Sequence, residues 1–153
     1  MQQYRIKFIL GKITAYVDAL RLGKTTVEDL TGYTQTAVEI EHIMPQTCTD
    51  KASYDLDEEE FAVYIHRLGN LTLLENSINK SIHNDNYASK SVAYKQSKFY
   101  ITSSLSALVN QGQDTAINRT NLLLSAWPDW NKQAIEERQE MLYRLSEMIW
   151  EIR

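Results

Sequence analysis

Apolar residues at Ile6, Ile9, Leu10, Ile13, Tyr16, Val17 and Leu20 recur at helical spacing and predict an amphipathic helix over 3–22, stopped by Gly23. A connection over 25–36 follows, with a turn expected at 27–30. Val38, Ile40 and Ile43 then predict a strand over 38–43, closed by Pro45, which cannot donate to a sheet ladder. A helix is expected over 57–67: Asp57 and Glu60 have capping-box spacing, Phe61, Tyr64, Ile65 and Leu68 form the inward face, and Gly69 lies just beyond. Leu71 to Leu74 predict a second strand. Further helices are expected over 75–82, over 87–98 with Tyr87, Val92 and Tyr94 on its apolar side, over 99–109, over 118–126 carrying Leu122 to Leu124, and over 131–152. In the last, Ile135, Leu142, Leu145, Ile149 and Trp150 are expected to face inward. Thr102, Ser103 and Ser104 weaken the helix over 99–109. The predicted class is α+β, mostly α, with a two-stranded antiparallel sheet embedded in a helical domain.

The chemistry gathers where the strands end. Glu41 and His42 stand side by side at the end of the first strand. Successive strand residues point to opposite faces, so the two serve one small site only if the chain kinks there. Asn70 precedes the second strand, and Asn79 follows on the next helix. A neutral imidazole can take a proton from water near pH 7. A carboxylate and an amide oxygen are hard ligands suited to Mg²⁺ or Mn²⁺, and two protein ligands leave room for waters and phosphate oxygens. The Asn70 amide can bridge backbone groups on the two strands.

Composition narrows the field. The chain has 153 residues, 43% hydrophobic and 24% charged, which suits one soluble domain with a real core. No apolar run approaches the ~20 residues needed to span a bilayer, and no secretory signal is evident. The single cysteine, Cys48, rules out an internal disulfide and a Cys-rich zinc staple, and a reducing cytoplasm is the simplest compartment. Cys48 itself reads as an incidental buried thiol. The net charge of −4 argues against a nucleic-acid binder that uses its whole surface. Charge is uneven, however. Residues 50–60 hold six acids and one lysine, whereas 79–100 hold Lys80, Lys90, Lys95 and Lys98 against Asp85 alone. That basic stretch directly follows Asn79, so a duplex could touch one face of an acidic domain. Lys80 and Lys90 are its candidate phosphate contacts. Ser97 reads as structural, Tyr87 and Tyr94 as core, and His66 and His83 as surface residues.

The order Glu41-His42-Ile43-Met44-Pro45-Gln46, then Leu68-Gly69-Asn70-Leu71-Thr72-Leu73-Leu74, then Asn79, Asn84, Tyr87, Lys90, Tyr94 and Ser97, resembles HNH (ββα-metal) endonucleases. The nearer resemblance is to the C-terminal nuclease domain of GmrSD-type restriction and phage-defence proteins. It covers about residues 38 to 150, including a last stretch with Trp130, Ile135, Arg138, Leu142 and Trp150. Tyr87 stands where that family usually has Phe. The resemblance implies a nuclease core over 38–98, an N-terminal helix and connection over 1–37, and a helical cap over 99–153. It implies His42 as general base, Asn70 as the residue that fixes the loop, and Glu41 and Asn79 as ligands of Mg²⁺ or Mn²⁺. The implied partner is DNA, including modified phage DNA, cut by in-line attack to leave 5′-phosphate and 3′-hydroxyl ends. It further implies an N-terminal nucleotide-hydrolysing regulator outside this sequence, and a second copy, as in a homo-oligomer, or repeated nicking for double-strand cleavage. Two rivals share the pattern: an inactive DNA-binding or interaction module of the same fold, and an RNase toxin.

Overall fold

The structure, a computed structural model, describes residues 1–27 and 29–151; the turn expected at 27–30 includes a position outside them. Helix α1 spans Gln3–Arg21 and buries Leu10, Ile13, Thr14 and Val17. It ends in a Schellman motif. Lys24 N–H donates to the Ala19 carbonyl at 2.8 Å and Gly23 N–H to the Leu20 carbonyl at 2.9 Å. That geometry needs the positive φ of 74° which Gly23 supplies without strain. A one-turn helix, α2 (Thr31–Thr34), leads into strand β1 (Val38–His42).

Strand β1 pairs antiparallel with β2 (Leu71–Glu75), with Ile40 opposite Leu73 and Glu41 opposite Thr72. The pleat sends Val38, Leu71 and Leu73 into a small core with Leu10 of α1 and Phe99. Glu39 and Glu41 occupy the other face. Between the strands lie a 3₁₀ turn at Lys51–Tyr54 and helix α3 (Glu58–Tyr64), whose capping box at Asp57 and Glu60 forms as the spacing predicts.

Helix α3 stops three residues short of the expected 67. The Ile65 carbonyl accepts from the Asn70 side chain at 3.1 Å, and Gly69 N–H donates to Gln139 at 2.6 Å, so the pair that would extend the helix is spent elsewhere. A 3₁₀ turn at Leu68–Asn70 forms instead. After β2 come α4 (Asn76–Ile82), α5 (Tyr87–Tyr94), α6 (Tyr100–Ser103), α7 (Ala116–Asn121) and α8 (Lys132–Trp150). The helix expected over 99–109 shrinks to the four residues of α6. Ser104 donates to the Tyr100 carbonyl at 2.6 Å and Thr102 to the Leu73 carbonyl at 2.8 Å, and such side-chain bonds compete with helical ones. Helix α7 begins two residues earlier than expected and ends before Leu122, which with Leu123 is exposed while Leu124 is buried.

Helix α8 is capped by Asn131, whose side chain accepts from Ala134 N–H at 2.9 Å. It buries Ile135, Arg138, Leu142 and Leu145, but Trp150 is 39% exposed rather than inward. Two features lock α8 onto the turn before β2. Gly69 lies so close that a Cβ there would sit 2.1 Å from the Ile135 carbonyl oxygen. Arg138, fully buried, donates to the carbonyls of Gly69 at 3.1 Å and Leu71 at 2.6 Å. Burial lowers its guanidinium to about 10. Among the described residues, no helix is long and apolar enough to cross a membrane.

Candidate active site

Asn70 is the pivot of the strand ends. It is fully buried, and its amide is used at both ends. The oxygen accepts from Met44 N–H at 2.7 Å and from the Trp130 indole at 3.0 Å; the nitrogen donates to the carbonyls of Met44 and Ile65, each at 3.1 Å. Its own carbonyl accepts from Ile43 N–H at 2.9 Å. The backbone just after His42 is therefore pinned by one side chain, and Asn70 reaches no solvent through which a substrate could touch it.

Glu41 is turned into the protein, 4% exposed. Its Oε1 accepts from Lys90 Nζ at 2.5 Å and from the Tyr94 hydroxyl at 3.0 Å. The same ammonium donates to the His42 carbonyl at 2.8 Å. Burial pushes the Glu41 carboxyl up, opposed by Lys90 and Tyr94 and assisted by the nearby charge of Glu39. Lys90 is the main departure from the sequence reading. It is only 1% exposed, so it serves as an internal counter-ion and not as a phosphate contact on the surface. Tyr87, Lys90 and Tyr94 form the inward stripe of α5, whereas Val92, expected there, is 63% exposed.

The kink that would put both on one face does not form: β1 stays paired through His42 and bends only after it, so His42 faces away from Glu41, as the pleat requires, and is half-buried. The Gln46 amide nitrogen lies 3.0 Å from Nε2 and 3.3 Å from Nδ1. The ring of His66 stands edge-on to it, 5.9 Å between centroids. Burial, then His66, then Lys90 lower the His42 imidazole to about 4, which keeps it neutral at pH 7. His66, read from the sequence as a surface residue without a partner, is exposed but adjoins the candidate base; no spacing signal links positions 42 and 66.

Asn79 lies on α4, and its amide nitrogen donates to Glu39 Oε2 at 2.5 Å. Because Glu39 and Glu41 share one face of β1, Asn79 is brought to the Glu41 side of the strand. Lys80, beside it, is exposed, as are Lys95 and Lys98. Ser97 is buried and donates to Glu75 at 2.8 Å, a structural contact between α5's end and β2. Cys48 is half-buried against the main core. Among the described residues there is no cluster of three or more His, Cys, Asp or Glu arranged to hold a metal ion. The oxygens that could do so are Glu41 Oε2, which takes neither of the two hydrogen bonds made to that carboxylate, and Asn79 Oδ1, left free because the nitrogen faces Glu39. Two hard oxygen donors fit a hydrated Mg²⁺ or Mn²⁺ and do not fit a soft metal.

Two short antiparallel strands followed by a helix, with an acid, an imidazole and an amide at the junctions, make this an α+β domain whose polar side chains gather at the strand ends. Residues 2–145 match the family model of GmrSD restriction endonucleases, C-terminal domain, and the chain belongs to that family, a nuclease module of restriction systems. The match begins near the start of α1, well before the motif at 38, so the N-terminal helix is part of the family domain. No curated protein and no solved structure matches the chain.

Proposed function

We propose that the domain is a metal-dependent endonuclease of the HNH type that hydrolyses DNA phosphodiester bonds, nicking one strand per site, as the nuclease module of a modification-dependent restriction or anti-phage system. The observation that carries this reading is that the end of β1 presents a neutral, half-buried imidazole on one face and, towards the other, two oxygens that take no hydrogen bond among the described residues, Glu41 Oε2 and Asn79 Oδ1.

Within this reading His42 takes the proton from the attacking water, which a neutral ring can do and an imidazolium cannot. Gln46 orients the ring, and Lys90 and Asn70 fix the backbone that follows it, at the His42 carbonyl and at Met44. Glu41 and Asn79 would hold Mg²⁺ or Mn²⁺. When bound, the cation offsets charge that builds on the phosphate and on the departing oxygen. Lys80, exposed beside Asn79, contacts a backbone phosphate. Water attacks phosphorus as the bond to the 3′ oxygen breaks, and that oxygen takes a proton from solvent water, leaving a 5′-phosphate and a 3′-hydroxyl.

The test is a supercoiled-plasmid nicking assay with Mg²⁺ or Mn²⁺, run beside an RNA digest and a chelator control. Wild type is expected to nick DNA, and His42→Ala to lose about 100-fold or more while keeping its circular dichroism spectrum. Equal nicking by the two proteins would remove His42 from the mechanism. Faster loss of RNA than of DNA would reassign the substrate, and no cleavage of either would favour a binding module.

A further inference from the structure

Glu39 lies outside the motif that pointed to the site, yet it makes the one side-chain hydrogen bond that Asn79 forms among the described residues, 40 positions away in sequence. An asparagine amide has two ends of similar shape and opposite chemistry: Oδ1 accepts, Nδ2 donates. Only Oδ1 can bind a cation. On a short helix at the protein's edge, nothing in the backbone of α4 prefers one orientation over the other. A carboxylate settles it, because its oxygens accept and do not donate. Facing Glu39, Asn79 must turn Nδ2 towards the strand and leave Oδ1 on the opposite end of the amide. The bond is 2.5 Å long and half-buried, which strengthens a charge-assisted contact.

We propose that Glu39 is a positioning residue: it fixes the flip state of the Asn79 amide so that Oδ1 is presented to the cation. The inference rests on the cation site proposed above. The carboxylate of Glu39 stays in the outer shell, engaged by Nδ2, and Glu41 and Asn79 remain the ligands. Groups that orient a metal ligand in this way are worth about 10- to 100-fold in affinity where they have been removed. A glutamine at 39 keeps the size but can offer Asn79 either a donor or an acceptor, so both flip states become accessible. An aspartate keeps the charge but is one methylene too short to hold the same bond.

The experiment is a Mn²⁺ titration of the whole chain followed by paramagnetic broadening of the Asn79 side-chain amide signals in ¹⁵N NMR, which reads weak binding without DNA or turnover. Wild type, Glu39→Gln, Glu39→Asp and Asn79→Ala are compared, with broadening of the Tyr94 and Lys90 backbone amides as the reporter in the last. Thermal melts accompany each. The expected result is site-specific broadening in wild type, an affinity about tenfold weaker in both Glu39 variants, and unchanged melting. Wild-type affinity in Glu39→Gln overturns the proposal. So does wild-type affinity in Glu39→Asp, since that would reduce the effect to net charge. If Asn79→Ala binds Mn²⁺ like wild type, the cation site itself is wrong and the inference falls with it; if Asn79→Ala loses binding and Glu39→Gln does not, only the positioning role falls.

Discussion

The ammonium of Lys90 is shared between the Glu41 carboxylate at 2.5 Å and the His42 carbonyl at 2.8 Å, so one side chain from α5 holds two consecutive residues of β1. Both charges are almost wholly shielded from solvent. Breaking such a pair leaves the surviving charge uncompensated, which costs about 3–5 kcal/mol. Lys90→Met is therefore expected to lower the urea midpoint by an amount equivalent to that cost. The double variant Lys90→Met/Glu41→Gln should recover much of it, because neither charge remains. A single variant that unfolds like wild type would show that the pair is open in solution.

Gly69 and Ile135 set the distance between α8 and the turn before β2. A Cβ at 69 would come within 2.1 Å of the Ile135 carbonyl and 3.0 Å of the Gln139 nitrogen, both backbone atoms that cannot rotate away. Gly69→Ala should destabilise the domain by about 3 kcal/mol or more, at the upper end for overpacking. Gly32→Ala, where nothing lies within 4 Å, is the control and should melt close to wild type. Equal melting of the two variants would mean that α8 does not press on the turn.

Asn70 should behave as a structural keystone with a catalytic consequence. Asn70→Ala strands the Met44 N–H, the carbonyls of Met44 and Ile65, and the Trp130 indole N–H, at about 1–3 kcal/mol for each group left buried and unpaired. Asn70→Asp is expected to be nearly as damaging, since it turns an acceptor towards two carbonyl oxygens. Hydrogen exchange at Met44 should rise in both variants before global unfolding. Full nicking activity together with unaltered exchange would contradict the bridging role.

The acid limb of stability should carry the signature of His42 in the metal-free protein. Its folded-state value is lowered to about 4 from an ordinary 6.5, so the unfolded chain takes up the proton first as pH falls. The contribution of the neutral ring is thus present above about 6.5 and is lost as pH falls towards 4. His42→Ala should flatten that window. The Cε1–H resonance of His42 should titrate near 4, and a midpoint near 6.5 would place the ring in open water.

The alternation at 38–43 and the apolar run at 71–74 located both strands to within a residue, since strand pairing follows a period-two pattern that short-range sequence displays. The long stripes of α1 and α8 and the Asp57–Glu60 capping box were legible for the same reason: they are local. The family resemblance points to Asn70 and Asn79 from the sequence motif alone. Tertiary structure alone decided what the charged and polar groups meet. Lys90, one turn from Tyr87 and Tyr94, reads as a candidate phosphate contact until β1 supplies Glu41 from 49 positions away. Asn79 gains its orientation from Glu39, His42 its neighbour from His66, and α3 its early end from Asn70 and Gln139. Periodicity reports which face of an element is buried; whether a polar group on that face is solvated, paired or bridged depends on distant atoms that only the folded chain brings within hydrogen-bonding reach.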